Sequence, residues 1–296
     1  MKELPDFFDG NEKELTKFIK KDNSKSFMEF ADLHCHTKYS DGDFSPKEVI
    51  KKAKKKGLKC LAVTDHNSTE GIKEAVLYGK RLGIEIIPGV EITSEWGEVI
   101  GYHIDVNNKD LKSLLAYNRK EIDKGARECI KILNKKGLDV SYRAVKLQFR
   151  RYPLMCFLIF QFLVKKGKIT LDYELFKEYL KGKIKYKFPT TGQVISVIKK
   201  AGGIAVLAHP FAESNLEEEF KNIKTLVKEG LAGIEIENGQ YQLYDSKIKN
   251  EIFKISKKHG LILTSGSDFH GDSVKSELGS CTCSKEVVQK LKYLRN

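Results

Sequence analysis

The sequence has little that would tie it to a membrane or to an oxidising compartment. Its longest apolar run, LMCFLIFQFLV at 154–164, is about half of the roughly 20 residues that a helix needs to cross a bilayer. We expect a buried helix there, with a groove for a partner or substrate as the alternative. The opening stretch, MKELPDFFDGNEKEL, is charged throughout and lacks the apolar segment of a secretory signal. The six cysteines are scattered through a chain that is too long to need disulfides, so we expect reduced thiols and a cytoplasmic protein without membrane partners.

Negative charge is also in short supply. There are 40 Asp and Glu residues against 53 Lys and Arg, which gives a net charge of +13. Basic runs such as KKAKKKG at 51–57 are typical of solvated helix faces. The alternative is attraction of a polyanion such as RNA, DNA or a phosphorylated metabolite, and charge alone does not decide between the two.

Short runs rich in Val and Ile alternate with longer amphipathic stretches along most of the chain. The helix pattern is clearest in SPKEVIKKAKKKG, where Ser45 is a candidate N-cap, Pro46 a first helical residue and Gly57 a stop. Near-continuous apolar strands joined by helices predict an α/β fold with a parallel sheet buried on both faces. The number of strands predicts a closed or nearly closed barrel. The predicted strands cover residues 30–34, 60–66, 84–92, 98–105, 203–210, 233–238 and 261–268.

One segment interrupts this alternation. Between the fourth and fifth predicted strands the strand pattern disappears, and residues 110–188 have a helical pattern instead. We therefore predict an N-terminal appendage at 1–28, a barrel domain formed by 29–109 and 189–296, and a helical insertion at 110–188.

Histidines are concentrated where predicted strands end. Five of the seven histidines in the chain lie at such positions, and a glutamate and an aspartate join them. Because β/α barrels place their functional groups at the carboxyl ends of strands, we expect these side chains to face one cavity. The residues are His34, His36, His66, Glu91, His209, Asp268 and His270.

These residue types are metal ligands. Imidazole and carboxylate together suit zinc, manganese or iron, and a carboxylate can bridge two ions. Residues two apart on a strand point to the same side, so His34 and His36 can reach one centre, as can Asp268 and His270. The set is too large for one tetrahedral ion. We therefore expect two or three divalent ions (Mn, Zn, Fe or Mg), a cluster that can activate water for displacement at phosphorus.

The quoted motifs resemble those of the polymerase and histidinol phosphatase (PHP) superfamily. DLHCHTKYSDG, TDHN, PGVEIT, AHP and SDFH match its motifs, and the resemblance covers roughly residues 29 to 285. Within the superfamily the sequence resembles the branch of ribonuclease AM and nucleoside 3′,5′-bisphosphate phosphatases. The resemblance implies a distorted seven-stranded, TIM-like (β/α)7 barrel (the PHP fold) with a helical insertion. It also implies a metal-dependent phosphoesterase in which a metal-bridging hydroxide attacks phosphorus.

The resemblance also implies a role for each ligand. His34, His36, Glu91 and Asp268 would hold one ion, with Glu91 bridging to a second. Asp41 and His66 would hold a third, more exposed ion, and His209 and His270 would complete the set. Catalytic roles would fall to Glu91, Asp268 and His209.

The sequence departs from the family pattern in two places. Where members often have a histidine in the segment matching GEVIGYHID, the aligned residue is Glu98; we prefer Glu98 as the ligand, with His103 as the alternative. An Arg-Pro-His-like stretch of the insertion reads RRYPLMCFLIF here, so that Arg150 or Arg151 takes the place of the family's basic residue.

Substrate phosphates need cations near the metals. Arg119 and Arg127 are eight residues apart in a helical segment, about two turns, so both can face the cavity; a solvated helix face is the alternative. We expect a phosphorylated nucleotide, such as a nucleoside 3′,5′-bisphosphate, or a short 5′-phosphorylated RNA as substrate. Two alternatives are a phosphatase for a small metabolite such as histidinol phosphate, and a nucleic-acid-binding accessory module with an inactive metal site.

Overall fold

A computed structural model describes residues 30–149, 153–170, 183–210, 216–240, 246–272 and 276–295. The predicted appendage at 1–28 and the candidates Arg150 and Arg151 lie outside these residues. The described strands are β1 (Ala31–Asp32), β2 (Cys60–Val63), β3 (Glu85–Ser94), β4 (Gly97–Tyr102), β5 (Ile204–Leu207), β6 (Gly233–Asn238) and β7 (Ile262–Gly266). The described helices are α1 (Pro46–Lys55), α2 (Ile72–Leu82), α3 (Lys109–Lys135), α4 (Tyr142–Gln148), α5 (Cys156–Lys165), α6 (Thr191–Lys200), α7 (Leu216–Glu229), α8 (Ser246–His259) and α9 (Lys285–Arg295).

The seven strands form one sheet in chain order, β1 to β7. All neighbours are parallel except β4, which runs antiparallel to both β3 and β5. The prediction of a wholly parallel sheet is therefore wrong for this strand. The reason is local: Ser94 pairs with Gly97, so only Glu95 and Trp96 join β3 to β4, whereas a parallel crossover needs a dozen residues or more. Gly97 makes this turn possible with a φ of 111°.

The sheet curls until its first and last strands meet. The amide of Leu33 donates to the carbonyl of Ser265 at 3.3 Å, and the amide of Asp268 donates to the carbonyl of His34 at 2.8 Å. Gly266 permits this approach, because a Cβ there would lie 2.3 Å from the Cβ of His34. The predicted distorted seven-stranded barrel is confirmed.

Helices cover the outside of the barrel, and the sequence signals that start them act as expected. Ser45 and Glu48 form a capping box at the start of α1, and Pro46 is its first residue. The apolar face of α1 packs Val49 and Ile50 into a core that contains Leu61 and Val63 of β2. At the end of the barrel away from the carboxyl ends of the parallel strands, the interior is filled by side chains such as Tyr102. The hydroxyl of Tyr102 donates to the carbonyl of Leu33 at 2.9 Å.

The predicted insertion contains three described helices, α3, α4 and α5. Leu111 and Leu115 attach the start of α3 to the barrel core, while the rest packs with α4 and α5 around a separate cluster that includes Leu133, Val145 and Ile159. The apolar run at 154–164 forms α5, most of whose side chains are buried as predicted. The division into domains stays a prediction. No helix among the described residues is both long enough and apolar enough to cross a membrane.

Candidate metal centre

The ligand-type side chains predicted from the sequence lie together at one end of the barrel. His34 and His36 follow β1, His66 follows β2, and Asp268 and His270 follow β7. Glu91 lies within β3 rather than at its end, and Glu98 lies at the start of β4, which the reversed strand direction brings to the same end. The cluster contains four groups whose ligand atoms lie within 4.8 Å of one another. These groups are His34–His36–Asp268, His34–Glu91–His209, His66–Glu91–Glu98 and His36–Asp41–His66–His270.

The most buried part of the cluster surrounds the paired histidines of β1. His34 Nε2 lies 3.1 Å from His36 Nε2 and 3.2 Å from Glu91 Oε2. His36 Nε2 lies 3.1 Å from Asp268 Oδ1. The side chains of His34, His36 and Glu91 have no solvent exposure, so this part of the cluster is closed to bulk water.

Glu91 lies at the centre and contacts both sides of the cluster. Its Oε1 is 3.0 Å from His209 Nε2, and its Oε2 is 3.1 Å from His66 Nδ1. Glu98 contacts the same two histidines, at 3.2 Å from His66 Nδ1 and 3.7 Å from His209 Nε2. The two oxygens of Glu91 therefore contact different histidines, and Glu98 completes the group around His66.

Asp41 lies at the outer, more exposed side of the cluster. Its Oδ1 is 3.3 Å from His270 Nε2 and 3.8 Å from His36 Nδ1, and its Oδ2 is 3.8 Å from His66 Nε2. Asp41, His66 and His270 are 10 to 15% exposed, unlike the closed inner part. The geometry thus offers a more exposed position where the third ion was expected.

The donor set fits divalent ions. His66 Nδ1 and Asp268 Oδ1 are buried, and although Glu91 and His36 lie close to them, neither atom makes a hydrogen bond of acceptable geometry with a described residue. The Nδ1 atom of His34 is 3.0 Å from Glu235, and because a carboxylate accepts, this contact leaves Nε2 of a neutral His34 as a lone-pair donor. Ligand atoms each about 2.1 Å from one ion stand about 3 to 3.4 Å apart, which matches the separations in this cluster.

Opposite charges shift the pKa values of the cluster strongly. Burial lowers the pKa of His209 and of His270, but the neighbouring carboxylates outweigh burial and raise each pKa to about 9. Burial raises the pKa of Glu91, but His34 and His66 outweigh it and hold the pKa well below its ordinary value. His36 is different, because burial and the adjacent His270 and His66 lower its pKa to about 3. His36 is thus neutral near pH 7, the state in which an imidazole can bind a metal ion.

The backbone that presents these ligands is held in unusual conformations. Asn67, His209 and Asp268 follow strands with φ values of 48°, 24° and 52°, in the left-handed region that non-glycine residues seldom adopt. The amide of each donates into the cluster: Asn67 to Glu91 O at 2.7 Å, His209 to Glu235 Oε2 at 2.9 Å, and Asp268 to His34 O at 2.8 Å. These hydrogen bonds offset a conformational cost of about 1–3 kcal/mol at each position.

Two buried acids of the site were not singled out from the sequence. Glu235 of β6 contacts His34 and the amide of His209, and the strict alternation in GIEIEN is the signal that would have placed it inside the barrel. Asp65 accepts from the amide and hydroxyl of Thr37 and from the hydroxyl of Ser40, each at 2.7 Å. It therefore ties the loop after β1 to the loop after β2.

The remaining candidates lie in different places. His103 lies beyond the end of β4, at the opposite end of the barrel, where Glu85 and Arg295 are its charged neighbours. Arg119 contacts Glu70 at 3.3 Å and the carbonyl of Asn67 at 3.4 Å, which places it beside the loop of His66. Arg127 is more exposed, and it pairs with Asp123 at 3.2 Å and stacks on the Tyr142 ring at 3.9 Å.

A cavity of about 1090 Å³ lies between the loops of the cluster and the insertion. Tyr39, Ser68 and Glu70 line it on the barrel side, and one face of α3 forms the opposite wall. Among the described residues, 18 line the cavity, of which eight are basic and three are acidic. The basic residues are Arg119, Lys120, Lys124, Arg127, Lys131, Lys146, Lys183 and Lys185.

Known proteins resemble this chain along most of its length. The chain is 30% identical over 260 residues to the 5′-3′ exoribonuclease Rnm of Escherichia coli, covering 84% of this chain and 87% of that protein. It is 29% identical over 252 residues to the 3′,5′-nucleoside bisphosphate phosphatase of Chromobacterium violaceum, covering 81% and 86%. Among solved structures, a putative metal-dependent phosphoesterase from Bifidobacterium adolescentis superposes with a TM-score of 0.81 at 24% identity, covering 90% of this chain and 96% of that one.

These similarities agree with the motifs and with the barrel. The relatives are named as hydrolases of phosphate esters, so the predicted enzyme class, a phosphoric ester hydrolase, is confirmed. The model of the PHP domain matches residues 32–239, a range that contains all the predicted ligands except Asp268 and His270. The chain belongs to the PHP domain family.

Proposed function

We propose that the chain hydrolyses phosphate esters of nucleotides, either nucleoside 3′,5′-bisphosphates or short 5′-phosphorylated oligoribonucleotides, with two or three divalent ions. The observation that carries this proposal is the position of the cation-rich cavity directly beside the metal-ligand cluster. Ligands alone indicate hydrolysis, whereas the cations favour a substrate with more than one phosphate. The names of the relatives support the same substrate classes.

The cluster offers a place for each ion. An inner ion would be held by His34, His36 and Asp268. A second ion would be held by Glu91 together with either His66 and Glu98 or His34 and His209. The outer ion would be held by Asp41, His66 and His270. When bound, such ions activate water and neutralise charge on the phosphate oxygens. Imidazole together with carboxylate suits zinc, manganese or iron better than magnesium, which prefers oxygen ligands.

The residues of the chain itself have distinct tasks. Glu91 contacts imidazoles on both sides of the cluster and so fixes their relative positions. His209 and Glu98 lie at the partly exposed edge, where a substrate phosphate can approach. Arg119 is held beside the loop of His66, and its charge would balance that of a second phosphate. Arg127 lines the same cavity about two turns further along α3.

The two alternative functions have less support. A phosphatase for a small metabolite would not need a basic wall as long as that of α3. An accessory module with an inactive site would not need to keep so many ligand-type side chains converged in buried positions.

A phosphate-release assay tests the proposal. It compares a nucleoside 3′,5′-bisphosphate, a 5′-phosphorylated oligoribonucleotide and histidinol phosphate, with and without EDTA, and with Mn²⁺ added back. We expect release from one or both nucleotide substrates, loss with EDTA and recovery with Mn²⁺. Release from histidinol phosphate alone would contradict the substrate class, and activity that resists chelation would contradict the metal site.

A variant of one predicted ligand tests whether that activity depends on the metal-ligand cluster. Asp268→Asn keeps the shape of the side chain but removes its charge, so we expect the rate to fall by about 100-fold or more, as losses of charge stabilisation do. Asp272→Asn, an exposed aspartate in the same loop, is the matched control and should retain activity. Circular dichroism of both variants checks that the fold is kept.

A further inference from the structure

The cavity wall on α3 carries a continuous row of cations. We propose that this row, Arg119, Lys120, Lys124, Arg127 and Lys131, is a track that binds the successive phosphates of a single-stranded oligoribonucleotide beyond the ester that is cleaved. The inference rests on the proposed phosphoesterase activity, and it adds a binding surface that extends away from the metal cluster. We call these five residues the cation track.

Helical spacing makes the track continuous. Its members lie at intervals of one, three or four residues along α3, so they share one face of the helix. The opposite face carries the buried residues Leu115, Ile122 and Leu133, which hold α3 against the rest of the fold. The direction in which the track faces is therefore set by the packing of the helix.

The track is longer than a mononucleotide requires. Arg119 and Lys131 are separated by about 18 Å at the helical rise of about 1.5 Å per residue. A nucleoside 3′,5′-bisphosphate has a single ribose between its two phosphates, and that ribose spans well under half of this length. The near end, at Arg119, lies beside the loop of His66. An oligoribonucleotide whose terminal phosphate ester lies at the cluster would therefore place its later phosphates along α3.

Basic residues are more frequent in the lining of the cavity than in the chain as a whole. Eight of the 18 described lining residues are basic, compared with 53 of 296 residues in the whole chain. The acidic residues in the described part of the lining are Glu70, Asp123 and Glu128. Such an excess of cations over a length of helix attracts the evenly spaced charges of a phosphodiester backbone.

The existing ion pairs leave the track able to bind phosphate. Lys124 and Lys131 pair with Glu121 and Glu128 within the same helix, at 3.4 and 3.2 Å. Both lysines are more than 60% exposed, and solvent-exposed pairs of this kind hold their side chains only weakly. Arg127 is held more firmly by Asp123 and by the Tyr142 ring, so its guanidinium is already oriented.

The test compares substrates of different length. The double variant Lys124→Gln/Lys131→Gln is assayed for kcat/KM on a nucleoside 3′,5′-bisphosphate and on 5′-phosphorylated di-, tetra- and hexaribonucleotides, over a range of salt concentrations. We expect the unchanged protein to prefer the longer substrates and the variant to lose that preference by about tenfold. The slope of log kcat/KM against log salt for the hexanucleotide should flatten by about 0.7 for each lysine removed. Hydrolysis of the bisphosphate should stay within twofold.

A control variant separates the track from general charge. Lys112→Gln/Lys135→Gln removes two cations from the same helix at positions outside the cavity, and it should retain the length preference and the salt slope. A wild-type kcat/KM that does not rise with length, or equal effects of the two double variants, would overturn the track. Absence of hydrolysis on every substrate would instead refute the proposed function.

Discussion

Glu235 connects two predicted metal ligands through one buried carboxylate. One oxygen is 3.0 Å from His34 Nδ1, and the other accepts from the amide of His209 at 2.9 Å. A carboxylate on the far nitrogen of a ligand histidine sets its tautomer and orientation. Glu235 also holds the left-handed backbone of His209, so it is a positioning residue for both sides of the cluster.

We predict that Glu235→Gln weakens metal binding by about 10–100-fold while the protein stays folded, because outer carboxylates of this kind contribute that much to affinity. The side-chain amide of glutamine has only one oxygen, so it can accept from His34 or from the amide of His209 but not from both. Metal titration with a chelating indicator measures the affinity. Wild-type affinity in the variant would contradict the positioning role.

Glu237→Gln is the control for this prediction. Glu237 lies two residues along the same strand and pairs with the nearly buried Lys249. Its replacement should lower the melting temperature by leaving a buried charge without its partner, yet leave metal affinity unchanged.

The convergence of most ligand-type residues could be predicted because each lies at or near the end of an apolar strand. The alternation in GIEIEN would have placed Glu235 inside the barrel, but no local pattern indicates that it contacts His34 and His209. Glu98 was reached only through the family resemblance. Its position in the cluster agrees with that preference, while its role as a ligand stays a prediction.

At the scale of elements, α3 is connected to the metal cluster by a chain of buried polar contacts. Asn118 donates to Asn67 Oδ1 at 2.8 Å and to the carbonyl of Thr93 at 2.7 Å. Asn67 in turn donates to the hydroxyl of Thr93, which donates to Glu98 Oε1 at 3.1 Å. The insertion helix and the loop of His66 are thus fixed to one another.

We predict that Asn118→Leu lowers the free energy of unfolding by about 1–3 kcal/mol, because Asn67 Oδ1 and the carbonyl of Thr93 each lose a buried hydrogen bond. It should also raise KM for oligonucleotides, since the cavity wall loses its anchor beside the cluster. Denaturant unfolding and steady-state kinetics measure the two effects.

Asn134→Leu is the comparison. Asn134 belongs to the same helix and is bonded to the backbone of Val140, far from the cluster. It should cost similar stability but leave KM unchanged. Equal KM values for the two variants would show that Asn118 contributes only to folding.

The order and type of most elements could be predicted, because their apolar periods and caps are local properties. The direction of β4 could have been inferred from the two-residue link before it, but the alternation of strands and helices elsewhere favoured a parallel arrangement. The joint position of Arg119 and Arg127 on one cavity wall followed from helical spacing. Tertiary packing determines which other elements complete that wall, and local sequence patterns do not reveal them.

At the scale of the whole molecule, protons and metal ions would compete for the histidines of the cluster. The pKa values of His209 and His270 are raised from 6.5 to about 9. Before an ion binds, these protonated histidines therefore contribute stability that is complete below about pH 6.5 and is lost as the pH rises through about 9. Metal ions bind the neutral imidazole and compete with those protons.

We predict that Mn²⁺ binding at pH 7 releases protons and that the affinity increases as the pH is raised towards 9. Isothermal titration calorimetry in two buffers of different ionisation enthalpy measures the release. Binding heats that are the same in both buffers would contradict the prediction. His270→Gln is the companion variant, and it should release fewer protons.

The reversed strand β4 also decides where the insertion begins. The last residue of β4, Tyr102, pairs with the first residue of β5, so the chain leaves this strand at the end of the barrel furthest from the cluster. From Asn108, which bonds to the carbonyl of Lys200 at that end, α3 needs about 15 Å to bring Asn118 level with the ligands. The rest of this 27-residue helix extends past the barrel. If the proposed cation track binds RNA, the length of the helix beyond Asn118 would set how many nucleotides are held beyond the cleaved bond.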